Sequence, residues 1–473
     1  MTASSAQLVV IGGGPGGYAA AFYAADLGMQ VTLVDTEANP GGVCLYRGCI
    51  PSKALLHVAK VASEAKHAAN WGLTYAAPKI NLDKLRAFKD GVVSKLTSGL
   101  GQLSKQRKIT FVQGTASFVD ARNLSIELVA GGSQALSFEH AIIATGSYPT
   151  KIPGLSIESD RLMDSTGALN LPDIPKSLLV VGGGYIGLEL GSVYAALGTT
   201  VTVVEMTDGL LPGADRDLVT YLARRLATTL DTILLKTRVV GMAEGKKGIT
   251  VSMVGADGTE SEQTFDRVLV SIGRRPNSKV PGLEKTGVIV SELGFIAVDP
   301  AMRTATPNIF AIGDVVGEPM LAHKASHEAR VAVEAILGHK VAFEPQAIPA
   351  VVFTDPEVAW CGLTEQEAKR LGRKVEVAKF PWAALGRALA IDRPEGMTKL
   401  VIDPDTERIL GVGIVGAGAG ELIAEGVLAV EMAALASDLK LSIHPHPTMS
   451  ETLMEAAEVF FGHSTHVYRP KKK

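Results

Sequence analysis

The feature that most constrains the fold of this chain is a glycine pattern that follows a short apolar run near the N-terminus. Residues 8–11 read LVVI and residues 12–17 read GGGPGG, with Gly12, Gly14 and Gly17 in a Gly-x-Gly-x-x-Gly spacing. In a strand–turn–helix unit, the first glycine makes the tight turn, the second admits a pyrophosphate, and the third lets helix and strand pack closely. A glycine run alone could be a flexible loop, but in this context it predicts a dinucleotide site.

A second strand supports this prediction. Residues 18–27 have the character of a helix, and residues 31–35 read VTLVD, an apolar run that ends at Asp35. An acidic residue about 20 positions after the glycines is placed to accept a hydrogen bond from a ribose hydroxyl. We therefore predict that Asp35 binds the ribose of the first dinucleotide.

The same arrangement returns in the middle of the chain. Its parts are a strand at 178–181, the glycines Gly182, Gly184 and Gly187, a helix to about residue 197, and a strand at 201–204 that ends at Glu205. Two such units form an internal repeat, so we predict two bound dinucleotides. A carboxylate at Glu205 accepts a hydrogen bond from the 2′-hydroxyl of NAD and repels the 2′-phosphate of NADP. No arginine occurs at 206–209, so we expect NAD at the second unit.

Composition limits the remaining possibilities. A chain of 473 residues should divide into two or more domains, and its net charge of −3 gives no reason to expect a nucleic-acid partner. Residues 1–7 lack the basic start of a secretory signal, and no segment has the ~20 apolar residues of a membrane span. We expect a soluble, cytoplasmic protein without a membrane partner, and a solvated lysine tail at 471–473.

Two of the three cysteines, Cys44 and Cys49, lie in the string GGVCLYRGCIPSK at 41–53. So short a loop can close into a disulfide if its geometry lets the two Cβ atoms approach to about 4 Å. Gly48 and Pro51 suggest an irregular turn that enters a helix, whose N-terminus would lower the pKa of a thiol there. Lys53 would lie one helical turn beyond Cys49. The plain alternative is two buried structural cysteines and a surface lysine.

This string resembles the redox signature of the FAD-dependent pyridine nucleotide–disulfide oxidoreductases. The resemblance implies a Cys44–Cys49 disulfide against a flavin, with Cys49 on the flavin side and Cys44 exchanging with the substrate. It also implies that Lys53 stabilises negative charge on the flavin. Tyr46 and Arg47 are the least typical residues of the string, and the Arg47 cation could either tune the thiolate or point to water.

The string HPHPTMSE at 444–451 contains a second set of candidates. Thiol–disulfide exchange needs a base because only a thiolate attacks, and a histidine with a carboxylate partner can supply one. We favour a plain turn residue for His444. By resemblance, His446 is the catalytic histidine, Glu451 is its partner, and the histidine is contributed by the partner subunit of an obligatory homodimer.

The resemblance assigns further residues. To FAD it assigns contacts with Lys53, Ala116, Gly146, Asp314 and Ala322. Glu189 resembles the carboxylate that pairs with Lys53 beside the nicotinamide, although a helix-surface charge is the alternative. Val239 and Gly273 would flank the adenine side of NAD. No metal is expected.

The same resemblance implies the fold class: an α/β protein with two Rossmann-like domains, for FAD and NAD, and a C-terminal α+β dimerisation domain. The boundaries predicted are 1–150 for the first part of the FAD domain, 151–275 for the NAD domain, 276–345 for the second part of the FAD domain, and 346–473 for the dimerisation domain. We expect residues 71–108 to be largely helical, a hairpin over 399–415, and a helix over 421–435. Cys361 is expected in a core.

Within the family, the strings MLAHK at 320–324, TDPEVAW at 354–360 and HPT at 446–448 are similar to those of members that oxidise dihydrolipoamide. We therefore expect oxidation of protein-bound dihydrolipoamide to lipoamide, with hydride passed to NAD, in 2-oxoacid dehydrogenase or glycine-cleavage complexes. No lipoyl-type domain precedes Leu8, so the lipoyl group is expected on a separate acyltransferase core or lipoyl carrier protein.

Other functions are less compatible with the residues. A glutathione reductase would want NADPH and basic residues after the second glycine pattern. A mercuric reductase would carry a C-terminal cysteine pair, which this chain lacks after Cys361. Soluble transhydrogenases usually lack the first cysteine of the pair. A flavin-binding scaffold or assembly subunit would have no need to keep both cysteines, His446 and Glu451.

Overall fold

The structure is a computed structural model that describes residues 4–152 and 154–468 of the chain. The predicted lysine tail at 471–473 lies outside the described residues. None of the described helices has the length and hydrophobicity needed to cross a bilayer.

The first stretch of the chain carries the elements of a parallel sheet and the helices around it. They are β1 (Ser4–Ile11), α1 (Pro15–Asp26), β2 (Val31–Asp35), α2 (Gly42–Arg47), α3 (Cys49–His67), α4 (Leu82–Gln106), β3 (Thr110–Phe118), β4 (Asn123–Leu128), β5 (Ser133–Ile143) and β6 (Ser147–Pro149).

The middle stretch carries a second parallel sheet and an antiparallel meander. Its elements are β7 (Leu162–Met163), α5 (Ser165–Leu169), β8 (Ser177–Val181), α6 (Tyr185–Ala196), β9 (Thr200–Val204), α7 (Arg216–Thr229), β10 (Thr232–Leu234), β11 (Arg238–Gly245), β12 (Gly248–Val254), β13 (Glu260–Phe265), β14 (Arg267–Val270) and β15 (Arg274–Pro276).

The chain then returns to the first sheet and ends in an antiparallel unit. The elements are β16 (Ile309–Ala311), α8 (Ala322–Ile336), β17 (Ala350–Val352), β18 (Glu357–Gly362), α9 (Glu365–Arg370), β19 (Glu376–Pro381), α10 (Gly386–Ala390), β20 (Met397–Ile402), β21 (Ile409–Gly416), α11 (Ala419–Glu431), α12 (Ala436–Leu441) and α13 (Glu451–Phe461). Short 3₁₀ helices occur at Ala68–Trp71, Leu283–Lys285, Gly313–Val315 and Trp382–Ala384.

The first sheet has the parallel order β3-β2-β1-β5-β16, and β4 pairs antiparallel with the outer ends of β3 and β5. Helices α1 and α8 cover one face, where buried side chains of β1, such as Leu8 and Val10, meet alanines of both helices. Strands buried on both faces read as continuous apolar runs, which explains the LVVI pattern. β16 enters this sheet after the whole middle stretch, so the first unit is discontinuous in sequence.

The second sheet is parallel in the order β10-β9-β8-β14-β7, and the C-terminal sheet is antiparallel in the order β17-β18-β21-β20-β19. This arrangement confirms the predicted fold class. The predicted hairpin is confirmed as β20 and β21, and Cys361 is 1% exposed in the C-terminal core. The domain boundaries at 150, 275 and 345 stay a prediction.

Two local predictions were wrong, and one element was not predicted. Residues 72–81 form no helix, and α4 begins only at Leu82, where Asn81 caps it by accepting from the Lys84 amide. The irregular turn expected at Gly48 leads into α3, but it is preceded by an unpredicted short helix, α2, that carries Cys44. The helix predicted over 421–435 ends at Glu431.

A buried lysine joins the second unit to the C-terminal unit. Lys399 on β20 is 1% exposed, and its ammonium lies 2.5 Å from Asp215, 2.9 Å from Asp217 and 2.9 Å from Glu365. Asp215 also accepts from the first amides of α9, those of Glu365 and Gln366. A buried ammonium needs such partners because isolated charges are costly in a protein interior. The three carboxylates therefore surround a lysine.

Candidate functional site

A cavity of about 540 Å³ lies at the carboxyl ends of β1 and β2. The predicted FAD residues that line it are Gly12, Gly14, Asp35, Lys53, Ala116, Gly146, Asp314 and Ala322, and the predicted catalytic residues that line it are Cys44, Cys49, Lys53 and Glu189. Residues from distant parts of the chain meet here because the ends of parallel strands lie along one edge of a sheet.

The glycine loop forms the floor of this cavity. Gly12 has a φ of +103°, and a Cβ built on Gly17 would lie 1.8 Å from the Gly12 carbonyl oxygen. No other residue type fits there without moving the backbone. The Gly13 amide donates to Asp35 at 2.5 Å, which ties the loop to the end of β2. Helix α1 begins at Pro15, so its unpaired amides and positive dipole end favour an anion at this point.

The glycine loop also positions the cysteine string. The Gly41 amide donates to the Gly13 carbonyl at 2.7 Å, and a Cβ on Gly42 would lie 2.4 Å from the Cα of Gly14. The start of α2 is thus pressed against the glycine loop, and Cys44 follows within one turn. The two motifs found separately in the sequence form one continuous wall.

Cys44 and Cys49 both line the cavity, and the predicted disulfide between them stays a prediction. Cys44 donates a hydrogen bond to Cys49. That bond, together with the Lys53 charge, lowers the pKa of the Cys49 thiol to about 7, although burial opposes the change. The same bond and burial raise the pKa of Cys44. Cys49, the first residue of α3, is therefore the thiolate of the pair near neutral pH.

Lys53 and Glu189 form an ion pair at the same end of the cavity. The Lys53 Nζ lies 2.8 Å from Glu189 Oε2, and the Glu189 side chain is only 4% exposed. The other carboxylate oxygen of Glu189 accepts from the backbone amide of Phe353 at 2.9 Å. The lysine and the glutamate are 136 positions apart in the chain, and the packing of α3 against α6 brings them together.

Sequence reasoning missed a polar network around Asp314. Ser147 donates its hydroxyl hydrogen to Asp314, and Arg274 donates to the Ser147 hydroxyl at 2.8 Å and to its carbonyl at 2.6 Å. Arg274 and Asp314 also line the cavity. Each missed residue follows directly after a predicted one, Gly146 or Gly273, and that adjacency was the available signal.

The second glycine loop reproduces the first. Gly182 has a φ of +111°, and a Cβ on Gly187 would lie 2.3 Å from the Gly182 carbonyl oxygen. The Gly183 amide donates to Glu205 at 2.7 Å, as the Gly13 amide does to Asp35. Gly184 precedes the first turn of α6, whose amides are open to an anion.

Two predicted NAD contacts lie on the second unit but apart from its glycine loop in sequence. Val239 is buried among apolar residues on β11, so only its backbone is available to a ligand. Gly273 is exposed after β14. Tyr185, which sequence reasoning did not consider, begins α6 and lines the first cavity. Burial raises its pKa to about 12. This residue connects the second glycine loop with the first site.

The donors and acceptors of the first cavity fit FAD. The N-terminus of α1 suits a pyrophosphate, the Asp35 carboxylate suits ribose hydroxyls, and Asp314 with Ser147 suits the hydroxyls of a ribityl chain. Cys49 and Lys53 line the other part of the cavity, where a flavin ring would meet a thiolate and a cation. The open loop at Gly184 with Glu205 suits NAD for the same reasons.

His446 and Glu451 form a hydrogen-bonded pair away from this cavity. His446 Nδ1 lies 2.9 Å from Glu451 Oε1, and the Thr448 amide donates to Oε2 at 2.8 Å. Burial raises the pKa of Glu451, but these two partners hold it below its ordinary value. The His446 side chain is 74% exposed and is not among the lining residues. Within one chain, His446 is therefore not brought to Cys44.

His444, for which we favour a plain turn residue, lies in the irregular segment between α12 and α13 and does not line the cavity. Its side chain is only 6% exposed and its Nε2 lies 2.7 Å from Glu425 Oε1. It is a packed residue that ties the segment before α13 to α11, so it fixes where that segment runs. Pairing over this many positions is not visible in a sequence pattern.

Comparison with known proteins identifies relatives over the full length. Residues 6–329 match the pyridine nucleotide-disulphide oxidoreductase family, and residues 348–457 match its dimerisation domain. The chain is 50% identical to the dihydrolipoyl dehydrogenase of Haemophilus influenzae over 467 residues, which cover 99% of this chain and 97% of that protein. It is 46% identical to the dihydrolipoyl dehydrogenase of Geobacillus stearothermophilus over 462 residues, covering 98% and 97%.

Solved structures agree with the fold. LpdA from Mycobacterium tuberculosis superimposes with a TM-score of 0.88 at 26% identity, covering 96% of this chain and 99% of that one. The HOCl-induced flavoprotein disulfide reductase RclA from Escherichia coli, as its Cu(II) complex, gives a TM-score of 0.86 at 28% identity, covering 96% and 99%.

Proposed function

The chain belongs to the pyridine nucleotide-disulphide oxidoreductase family, and from that premise we propose that it oxidises protein-bound dihydrolipoamide to lipoamide with NAD as the final acceptor. The observation that carries the proposal is that Cys44 on α2 and Cys49 at the start of α3 both line the first cavity, together with the Lys53–Glu189 ion pair. Relatives named dihydrolipoyl dehydrogenase that align over almost the whole chain support the choice of substrate.

The protein's part in the chemistry begins from the oxidised cysteine pair. A thiolate of dihydrolipoamide attacks the Sγ of Cys44, the bond between Cys44 and Cys49 breaks, and Cys49 leaves as a thiolate. The leaving-group role suits Cys49 because a thiol of lower pKa leaves faster. The Lys53 ammonium and the N-terminus of α3 stabilise the charge that remains on Cys49.

The second half of the exchange needs a base. The proton of the first substrate thiol has gone to solvent, and His446 takes the proton from the remaining substrate thiol. The sulfur of that thiol attacks the substrate sulfur of the mixed disulfide, the bond to Cys44 breaks, and lipoamide leaves oxidised. The protonated His446 then gives its proton to the Cys44 thiolate, which becomes a thiol. Glu451 holds the Nδ1 side of the imidazole and stabilises its protonated form. The substrate has then lost two electrons and two protons, and the cysteine pair has gained two electrons.

FAD, when bound in the first cavity, supplies the two-electron carrier between this dithiol and NAD. The residues that would hold it are the glycine loop, Asp35, Ala116, Gly146, Asp314 and Ala322. Those that would hold NAD are the second glycine loop, Glu205, Val239 and Gly273. The carboxylate of Glu205 favours NAD over NADP because it would face a 2′-phosphate with like charge.

We propose that the working unit is a homodimer in which each chain gives His446 to its partner's Cys44. A dimerisation domain spans residues 348–457. The segment before His446 exposes apolar side chains, with Leu441 77% and Ile443 98% exposed, and the face of α11 exposes Leu428 and Met432. Exposed apolar side chains that lie together mark an association surface.

Subunit mixing tests the shared site. His446→Gln and Cys44→Ser proteins should each lack lipoamide turnover, yet a mixture that exchanges subunits should recover about a quarter of the native rate, because half of the dimers are mixed and each of these has one intact site. No recovery, with exchange demonstrated by differently tagged chains, would mean that His446 serves its own chain.

The lipoyl group would be carried by a separate acyltransferase core or lipoyl carrier protein of a 2-oxoacid dehydrogenase or glycine-cleavage complex. The cytoplasmic location predicted from the sequence stays a prediction. The direct test of function compares two substrate pairs on the purified yellow protein, namely NADH with lipoamide and NADPH with glutathione disulfide. Turnover of the second pair alone would replace the proposal by a glutathione reductase-like function. A protein inactive with both would favour the flavin-binding scaffold.

A further inference from the structure

Phe353, which follows directly after β17 in the C-terminal unit, contacts both members of the Lys53–Glu189 pair. The Phe353 amide donates to Glu189 Oε1 at 2.9 Å, while Glu189 Oε2 accepts from Lys53 at 2.8 Å. Both carboxylate oxygens are therefore engaged, one by each neighbour. Since the glutamate is almost completely buried, these bonds also satisfy a charge that would otherwise be costly.

The ring of Phe353 contacts the other member of the pair. Lys53 Nζ lies 4.4 Å from the ring centroid, well within the distance of about 6 Å at which a cation is attracted to an aromatic face. A single residue thus contacts the carboxylate through its backbone and the ammonium through its side chain.

The location of the ring limits where the ammonium can go. Lys53 lines the first cavity and also a second cavity of about 760 Å³, which is bounded by α3, α7 and the segment around Phe353. Phe353 lines only the second of these cavities. A lysine without this ring could turn its flexible side chain into the second cavity, away from Cys49 and toward water.

We propose that Phe353 is a positioning residue of the redox site, which fixes Glu189 with its amide and keeps the Lys53 ammonium on the Cys49 side. The inference rests on the proposed function only in treating Lys53 and Cys49 as parts of one redox site. By this inference the C-terminal unit also positions residues of the redox site in its own chain, in addition to associating with a second subunit.

The expected effect follows from the charges around Cys49. Lys53 lowers the pKa of Cys49, Glu189 raises it to a smaller extent, and Cys44 lowers it through its hydrogen bond. Tyr18 on α1 and Tyr185 on α6 also lie near Cys49. Because burial raises the pKa of both phenols, they stay neutral between pH 5 and pH 9. Loss of the Lys53 position should therefore raise the pKa of Cys49.

The test is a pH titration of the reduced, flavin-containing protein between pH 5 and pH 9, in which long-wavelength absorbance reports the Cys49 thiolate beside the flavin. Phe353→Leu should move the midpoint upward by about half a pH unit, as expected for loss of one cation–ring contact. Phe353→Tyr keeps the ring and should titrate like the native protein. Phe353→Met is a second ring-free variant, should the leucine protein fail to fold.

Two further measurements separate positioning from general damage. The matched control Phe343→Leu makes the same substitution at a ring that packs in the core beneath α8 and lines neither cavity, so it should leave the midpoint unchanged. An unchanged midpoint in the leucine and methionine proteins would overturn the proposal, as would an equal rise in the tyrosine protein. Because the titration needs no lipoamide, it remains decisive even if lipoamide proves not to be the substrate.

Discussion

At the scale of single residues, the fold makes two chemically similar thiols different. Cys44 lies on the short helix α2, whereas Cys49 starts the longer helix α3, which also presents a lysine one turn later. The result is a donor thiol and an acceptor thiolate rather than two equivalent sulfurs. This asymmetry suits exchange chemistry, in which the attacked sulfur and the leaving sulfur need different properties.

Removing the Cys44 hydrogen bond should weaken this asymmetry. In Cys44→Ala we expect the pKa of Cys49 to rise above its value of about 7, because the largest contribution to that lowering is the Cys44 bond. Hydrogen bonds to charged groups are worth about 1.5–3 kcal/mol, so the midpoint of the Cys49 titration should rise by about 1–2 pH units. Cys44→Ser retains a hydroxyl donor and should show a smaller rise. Both variants should lose lipoamide turnover while NADH still reduces the flavin.

Absorbance of the reduced proteins between pH 5 and pH 10 measures the first effect, and stopped-flow reduction by NADH measures the second. An identical Cys49 midpoint in the alanine and native proteins would show that Cys44 does not stabilise the Cys49 thiolate by a hydrogen bond. Lipoamide turnover in the serine protein would show that Cys44 is not the exchanging thiol.

His446→Gln should reduce lipoamide turnover by roughly 10²–10⁴, the usual contribution of general acid–base catalysis. Reduction of the flavin by NADH should be unaffected, because it does not involve the substrate thiols. Steady-state assays of both half-reactions provide the measurement. His463→Gln, at an exposed position just after α13, is the control and should retain native rates. A variant at position 446 with normal turnover would exclude this imidazole as the base.

Exchange of Glu205 for glutamine should raise NADP use relative to NAD by roughly tenfold, equivalent to about 1.4 kcal/mol. Glutamine is preferable to alanine because its oxygen can still accept from the Gly183 amide that Glu205 binds. Ratios of kcat/KM for the two nucleotides measure the change. The neighbouring exposed carboxylate offers the control Asp208→Asn, and an equal change there would indicate a general charge effect instead.

At the scale of elements, the strand–turn–helix unit is the part of this molecule that its sequence specified best. Strands β1, β2, β8 and β9 and helices α1 and α6 lie where the glycine spacing and apolar runs predict them. The reason is local: a turn this tight tolerates only glycine, so the pattern is both necessary and recognisable. Helix α2 was missed because six residues that begin with a glycine and follow another carry no helical periodicity.

The two glycine loops allow a matched experiment. Gly17→Ala should weaken FAD binding and Gly187→Ala should weaken NAD binding while leaving the protein yellow, because each new Cβ would collide with a backbone oxygen of its own loop. Overpacking of this kind costs about 1–3 kcal/mol, which is roughly 5–150-fold in affinity. Flavin fluorescence on dilution measures the first effect and NADH titration the second.

Gly99→Ala, on α4 where a Cβ would meet nothing within 4 Å, is the control for both. If Gly187→Ala lost its flavin as readily as Gly17→Ala, the two loops would not serve separate dinucleotides.

At the scale of the whole molecule, the contacts that join units were beyond sequence reasoning. Lys53 with Glu189, Arg274 with Ser147, and Lys399 with Asp215 and Asp217 each connect residues more than 100 positions apart. Such contacts depend on how sheets and helices pack, and no local spacing encodes them. Family resemblance gave the first of these pairs, and nothing in the sequence gave the others.

Lys399→Met should destabilise the protein by about 3–5 kcal/mol, the usual cost of leaving buried charges without their partner. Asp217 and Glu365 would keep the partly exposed Lys379 as an ammonium partner, whereas Asp215 would keep the amides of α9. The midpoint of urea unfolding, followed by tryptophan fluorescence, measures the change. Lys374→Met removes an exposed ion pair with Asp405 and should have almost no effect. Equal midpoints for the two variants would show that the buried lysine is dispensable.

The third cysteine of the chain has a practical consequence. Cys361 is sealed in the C-terminal core and burial raises its pKa to about 12, so alkylating reagents and peroxide meet almost no thiolate there. Counting modified sulfhydryls on the folded protein therefore gives two when the pair is open and none when it is bridged. Mass spectrometry of the alkylated protein can therefore report the oxidation state of the Cys44–Cys49 pair without any engineered tag.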